Sequence, residues 1–350
     1  MEYARGTGKL RSMMETGWVW IALVIVSAMC SPAIFLPVGA FFLTQPRIAI
    51  HFQTGVNYLS ASNQFYQNDS VTSADFAYFK ANNVSLISVR IFWKDIVFAN
   101  GTFNTVVLGN FERLLTVAYD YNISVQIDLW TQFGSSWSTP PFINNIYDIV
   151  QNATARNLWF QFVNYTVTQF KIYPAVTSYT MMNEPYITNT ATASLFYTTW
   201  QQQYALMKKI DPTKLIGIRF ALAMSPFSGN FSMSQVVKVS NFIGINEYLD
   251  PSNSSSTRYD ATWAMFNTAV IDCKNYRIPL RITEFGTDTG TLQAKQVWYQ
   301  KSLALFKSKG ITIAMGFAWQ STNPQVLPFN LATGIASGTP AFYQLGKYVC

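Results

Sequence analysis

The chain has 350 residues, 49% of them hydrophobic, enough to bury one large core. Charged residues make up only 12%, and 24 basic against 17 acidic side chains leave a net charge of +7. That excess is spread thinly, with no basic run beyond Lys208-Lys209, so the footprint of a nucleic-acid binder is absent.

In chain order, residues 1–16 are a short polar start carrying Arg5, Lys9 and Arg11, expected on the cytoplasmic side. Residues 17–45 are nearly uncharged and exceed the roughly 20 residues that cross a bilayer. They also exceed the apolar region of a cleaved signal peptide, about 7–15 residues. A membrane anchor is the first reading. Pro32 and Pro37, with small residues near 28–33, keep a cleaved signal peptide as the second. Either one carries residues 46–350 out of the cell. Eight Asn-x-Ser/Thr sequons agree with that address, at Asn68, Asn83, Asn100, Asn122, Asn152, Asn164, Asn230 and Asn253. Chance gives roughly half as many. Beyond the apolar segment two cysteines remain, Cys273 and Cys350, either a disulfide or two free thiols. Few charges with abundant Asn, Ser, Thr and Tyr fit an acidic exterior, where carboxylates protonate.

From residue 46 onward, apolar runs of strand length alternate with longer amphipathic stretches. Strands are expected at 50–57, 86–92, 124–129, 176–182, 215–221, 242–246, 280–283 and 313–318. Helices are expected at 73–82, 111–121, 155–170, 194–210, 261–275 and 292–308. Thr72 or Ser73 and Asn110 are the expected helix starts. Eight βα units in about 305 residues fit a (β/α)8 barrel, which typically needs about 250. An open doubly wound sheet would show a glycine-rich first turn, and Gly55-Val56-Asn57-Tyr58 is not a phosphate cradle. No shift in composition divides 46–350, so it reads as one domain.

Functional side chains of such a barrel gather at the C-terminal ends of the strands. Here those ends supply Asn57, Arg90, Trp130, Asn183 with Glu184, Tyr248, Glu284 and Trp319. Singly, each has an ordinary structural explanation; together they recur at matching places in successive units. Glu184 and Glu284 stand a hundred residues apart, and two carboxylates brought to one cleft are what glycosidic bond cleavage needs. The lone histidine, His51, and the lack of a Gly-x-Ser-x-Gly elbow argue against a serine triad or a histidine-rich zinc site, and His51 itself reads as an ordinary strand residue.

The core resembles the clan A glycoside hydrolases, most closely glycoside hydrolase family 5, the cellulase and mannanase family. The resemblance spans nearly all of 46–350. It is carried by Gly55-Val56-Asn57, Ser88-Val89-Arg90, Asn183-Glu184-Pro185, Thr283-Glu284-Phe285-Gly286 and Trp319. It implies a retaining mechanism with Glu284 as nucleophile and Glu184 as acid/base. Tyr248 and Arg90 would serve Glu284, Asn183 would bind the sugar 2-hydroxyl, and Trp319 would lie under the sugar ring. Trp93, Trp130 and Trp137 are candidate platforms for further sugars.

Two departures from the family pattern stand out. Asp128-Leu129 is followed by Trp130 where the family carries histidine, and Asn246 stands two places before Tyr248 where it carries a second. Asn246 is thereby a candidate substrate contact. Asn246-Glu247 is also a rival Asn-Glu pair, but strand alternation turns Glu247 away if Tyr248 faces the site. An endo-β-glucanase is the leading expectation, with a β-mannanase or an exo-β-glycosidase next. A non-catalytic carbohydrate-binding surface protein is the alternative from a different class. No metal or organic cofactor is expected, because the chain lacks a His/Cys ligand cluster and calcium-loop spacing. The expected partners are a β-linked polysaccharide or oligosaccharide and, through the N-terminal segment, a membrane; the chain is expected to be a monomer.

Overall fold

The computed structural model describes residues 52–58, 69–98, 100–130, 146–185, 187, 189–222, 226, 232–249, 260–287 and 291–319. The apolar segment 17–45, His51, Trp137 and Cys350 lie outside them. Eight strands form: β1 (Gln53–Tyr58), β2 (Val84–Phe92), β3 (Ser124–Trp130), β4 (Val176–Asn183), β5 (Leu215–Ala221), β6 (Phe242–Asn246), β7 (Leu280–Phe285) and β8 (Ile313–Trp319). Each pairs in parallel with its sequence neighbours, and β8 closes on β1. The expected (β/α)8 barrel is therefore the fold. Helices α1 (Asp69–Ala81), α2 (Trp93–Ile96), α3 (Thr105–Asp120), α4 (Ile146–Gln151), α5 (Ala153–Phe170), α6 (Thr190–Ile210), α7 (Met233–Val236), α8 (Asp260–Asn275) and α9 (Leu292–Ser308) fill the connections.

Two helix starts differ from the sequence reading. Helix α1 begins at Asp69, and Thr72 is wholly buried within its first turns. Helix α3 begins at Thr105, where the Asn104 side chain accepts the Val107 N–H at 3.3 Å. Val106-Val107-Leu108-Gly109 reads as poor helix, yet Leu108, Phe111 and Leu115 fall on one buried stripe. Asn110 instead accepts from Arg113 at 3.0 Å.

The strands alternate, apolar residues outward beneath the helices and polar residues into the barrel. In β3, Val125, Ile127 and Leu129 are buried against the helical layer, while Gln126 and Asp128 face partners across the lumen. A lower layer places Arg281 Nη1 3.2 Å from Gln126 Oε1 and 3.2 Å from Ser178 Oγ, with its guanidinium 3.7 Å from the Phe242 ring centre. Burial without a carboxylate partner pulls this arginine down to about 10. The barrel is thus plugged by hydrogen-bonded polar groups where branched aliphatic side chains are usual. Glycine supplies the room. A β-carbon on Gly244 would lie 2.6 Å from Thr283 Cγ2 and 3.2 Å from Arg219 Cγ.

The sequons acquire a structural account. Asn83 and Asn122 hold φ of 55° and 57°, the left-handed conformation that asparagine tolerates after a helix. Asn152 caps α5 by accepting from Thr154 N at 2.8 Å. Asn100 accepts from Thr102 N at 3.0 Å within a turn. These four asparagines are used by the backbone itself. Asn164 is also exposed, on α5, and Asn68, Asn230 and Asn253 lie outside the described residues. Cys273 is a buried free thiol, pushed up to about 12 chiefly by burial. Among the described residues no helix is long and apolar enough to cross a membrane.

Candidate active site

Strict alternation would send Asn183 and Glu284 outward, because Thr180 on β4 and Thr283 on β7 already face the lumen. Irregular register resolves this. On β4, Thr180 pairs with Gly217 and Asn183 with Arg219, three steps against two. On β7, Ile282 and Glu284 pair with Ile245 and Asn246, two steps against one. Each extra residue resets the parity, as a β-bulge does, and turns the next side chain inward. The sequence reading ended β7 at Thr283; the bulge carries the strand on to Phe285.

Glu184 follows β4 with φ of 48°, left-handed for a residue with a β-carbon, which costs about 1–2 kcal/mol. The Glu184 N–H donates to Arg219 O at 2.8 Å, and Pro185 next to it disfavours the right-handed alternative. The backbone is thus held strained where the carboxylate leaves it, as happens at functional sites.

The two carboxylates have different neighbours. Glu284 Oε1 accepts from both Arg90 Nη2 and Arg219 Nη2, the latter at 2.5 Å, and Oε2 accepts from the Tyr248 hydroxyl at 2.6 Å. Tyr248 is 40% exposed but turns its hydroxyl inward. Burial of that group, then the charge and hydrogen bond of Glu284, pushes the phenol far above its ordinary range, so it stays a donor. Glu184 Oε1 accepts from Asn246 Nδ2 at 2.8 Å. Burial, followed by the charge of Glu284, pushes the Glu184 carboxyl up, against smaller opposing effects of Asn246, Arg219 and Arg90. Asn246 Nδ2 also lies 3.2 Å from Asn183 Oδ1, and its own Oδ1 accepts from Thr283 Oγ1 at 2.8 Å.

Glu184, Glu284, Arg90, Asn183, Tyr248 and Asn246 are therefore assembled at one end of the barrel. Asn57 is not open to a ligand. It is wholly buried, its Nδ2 donates to Thr283 O at 2.9 Å, and its Oδ1 accepts from Arg219 at 3.0 Å. Trp93 is also core, 5.3 Å edge-on from Trp159 and stacked on Phe162. Trp130 and Trp319 are the last residues of β3 and β8, and their side chains lie outside the described set, as does Trp137. Glu247 is buried and turns its Oε1 to the N–H of Leu249, away from the pair, as alternation requires. No group of three or more His, Cys, Asp or Glu that could hold a metal occurs among the described residues.

Sequence reasoning missed Arg219 and Asp128, which lie one layer below the strand ends. Arg219 is wholly buried, with Nη1 on Asp128 and Nη2 on Glu284. Burial alone would weaken its charge, but Asp128, Glu284 and Glu184 outweigh that and pull the guanidinium above its usual range. An arginine inside the apolar run Ile216-Gly217-Ile218-Arg219-Phe220 was the available signal.

By sequence, the chain matches no protein-family model and no curated protein. By structure it is similar to many solved chains. An endo-1,4-β-mannanase from Rhizomucor miehei superposes with a TM-score of 0.68 at 12% identity, over 85% of this chain and 94% of that one. An endo-β-1,4-mannanase from Thermotoga petrophila gives 0.65 at 10% identity, over 85% and 76%. An endoglucanase from Pseudomonas stutzeri, solved with cellobiose, gives 0.64 at 13% identity, over 85% and 92%. At such identities the likeness establishes the shared barrel.

Proposed function

We propose that this chain is a retaining β-glycosidase that hydrolyses β-linked polysaccharides or oligosaccharides, with endo-β-1,4-glucanase activity as the leading assignment and β-mannanase as the alternative. One observation carries the reading: the inequality of the two carboxylates. Glu284 is gripped by two guanidinia and a phenol, whereas Glu184 has an amide and a carboxyl pushed up by burial and by Glu284. That is the division of labour between a nucleophile and a proton donor.

Glu184 starts protonated and gives its proton to the leaving oxygen as Glu284 attacks the anomeric carbon. Both cations sit on Oε1, so Oε2, which carries only the phenol, is the attacking atom. Once Glu284 is esterified its charge is gone, and Glu184 can take the proton of the attacking water. Asn183 contacts the sugar 2-hydroxyl. Trp319 and Trp130, at strand ends bordering the pair, supply ring faces. The glucanase and mannanase neighbours support a β-linked hexose substrate and divide on which one. The basic residues ahead of segment 17–45 support an address outside the cell, anchored by that segment.

The test is hydrolysis of β-glucans, β-mannans and aryl β-glycosides from pH 2 to 7, with the anomeric configuration of the first product read by proton NMR. Retention is expected, and Glu284→Gln should be inert on every substrate. Inversion, or full activity in Glu284→Gln, would overturn the assignment. Sugar binding without turnover would favour a carbohydrate-binding protein instead.

A further inference from the structure

Arg219 touches both halves of a buried charge relay. Its Nη1 donates to Asp128 Oδ2 and, at 3.1 Å, to Ser88 Oγ. Its Nη2 donates to Glu284 Oε1 at 2.5 Å, Asn57 Oδ1 at 3.0 Å and Thr283 O at 3.2 Å. Asp128 in turn accepts from Ser88 Oγ at 2.6 Å, Thr180 Oγ1 at 2.5 Å and Gln126 Nε2 at 3.1 Å. Contacts on both terminal nitrogens leave the guanidinium no freedom to swing. Stability does not explain the arrangement, since well-packed apolar side chains fill an interior at lower cost than buried ions. Charge balance does not explain it either: Asp128 alone would neutralise Arg219, and Glu284 already has Arg90.

We propose that Arg219, anchored by Asp128, is a positioning residue that holds Glu284 Oε1 and speeds the second half of the reaction, the release of the sugar from Glu284. The inference rests on Glu284 being the nucleophile. In that half-reaction a water oxygen bonds to the anomeric carbon, Glu184 takes the water's proton, and the bond from the anomeric carbon to Oε2 breaks with its electron pair passing to the carboxylate. Negative charge returns to Glu284 during this step, so a cation fixed on Oε1 binds the transition state more tightly than the ester. In the first half-reaction the same cation stabilises a carboxylate that is about to be consumed. Arg219 therefore favours departure over attack.

The experiment uses Arg219→Met combined with Asp128→Asn, which removes both charges and leaves no orphaned ion, and separately Arg219→Lys, which keeps a buried cation but cannot span both carboxylates. Folding is checked by thermal melting. The substrate is 2,4-dinitrophenyl β-cellobioside or β-mannobioside, whichever the natural protein cleaves faster, with the corresponding phenyl glycoside beside it. With the dinitrophenyl substrate the first half is fast. The variants are expected to release one equivalent of dinitrophenolate in a burst, then turn over about 10- to 100-fold more slowly than the natural protein, the worth of a charge-assisted hydrogen bond. Intact mass should show one glycosyl adduct. With the phenyl substrate, whose first half is slow, the rate should change by less than about threefold. Equal slowing on both substrates, or no slowing, overturns the proposal, because a merely structural role would not separate them. If the natural protein releases dinitrophenolate and Glu284→Gln does not, the nucleophile assignment survives that failure. If the natural protein cleaves neither dinitrophenyl glycoside, assignment and inference fall together.

Discussion

Asn246 Nδ2 lies 2.8 Å from Glu184 Oε1, and Asn246 Oδ1 is pinned by the hydroxyl of Thr283 at 2.8 Å. The family this chain resembles carries a titrating imidazole at this place, whereas an amide has one protonation state at all working pH values. Its contact favours the ionised form of Glu184, opposing the upward push of burial and of Glu284. Asn246→Leu should therefore raise the Glu184 pKa further. In the proposed mechanism activity falls when Glu184 loses its proton, so the alkaline limb of kcat/KM should move to higher pH. A limb that stays put or moves down would remove Glu184 from the acid role.

In the proposed mechanism Glu184→Ala removes the proton donor and, after esterification, the general base. On a polysaccharide or a phenyl glycoside, kcat should fall about 10²- to 10⁴-fold, the usual worth of general acid catalysis. On a dinitrophenyl glycoside the leaving group needs no proton, so Glu284 should still be glycosylated and the adduct should accumulate. Azide, a nucleophile needing no base, should then restore turnover and yield a glycosyl azide of retained configuration. Loss of activity on the activated substrate, with no adduct by mass and no azide product, would take Glu184 out of the acid/base role, and undiminished kcat on the polysaccharide would place it outside the chemistry.

The strands were legible because each apolar run is bounded by polar or turn residues, and six of the longer helices because their apolar stripes are regular. The short α2, α4 and α7 carry too few turns for a period to show. Glu184, Glu284, Arg90, Asn183 and Tyr248 could be found because they sit at strand ends. The bulges that turn Asn183 and Glu284 inward could not, since an extra residue in one strand appears only against its partner's register. Asn57 misled for the same reason: it stands at a strand end in sequence but one layer down in the barrel. Arg219 and Asp128 were passed over because each looked like one charge in an apolar strand; only the closed barrel brings carboxylates from β3 and β7 to the same β5 guanidinium.

Gly244 is the residue whose absent side chain lets Arg219 cross the lumen. A β-carbon there would stand 2.6 Å from Thr283 Cγ2 and 3.2 Å from Arg219 Cγ, and neither branch can retreat without breaking the contacts of Asn246 or Glu284. Gly244→Ala should destabilise the fold by about 1–3 kcal/mol, the usual cost of overpacking. It should also slow turnover of the dinitrophenyl glycoside, because the displaced guanidinium is one of the two on Oε1. Urea denaturation and the burst assay read the two effects. Unchanged stability with unchanged turnover would mean that the strand shifts freely and that the fit of Arg219 is loose.

Glu247 offers a test of the fold that does not depend on the chemistry. It is 3% exposed, its Oε1 accepts the Leu249 N–H, and its own N–H donates to Glu284 O at 2.8 Å. Burial, only partly offset by the Leu249 N–H, pushes its carboxyl up to about 8, whereas in the unfolded chain it titrates at about 4.5. Between those values the folded protein holds a proton that the unfolded chain has released, so stability declines as pH rises through the window. The decline attributable to this one group is on the order of a few kcal/mol by pH 8. Glu247→Gln cannot ionise and keeps an oxygen for the Leu249 N–H. It should match the natural protein in urea denaturation at pH 4 and exceed it at pH 8, with a flatter dependence between. Parallel curves across that range would mean that Glu247 gains a counter-charge or water on ionising. The expected sign makes the contribution of this one group to stability greatest in acid.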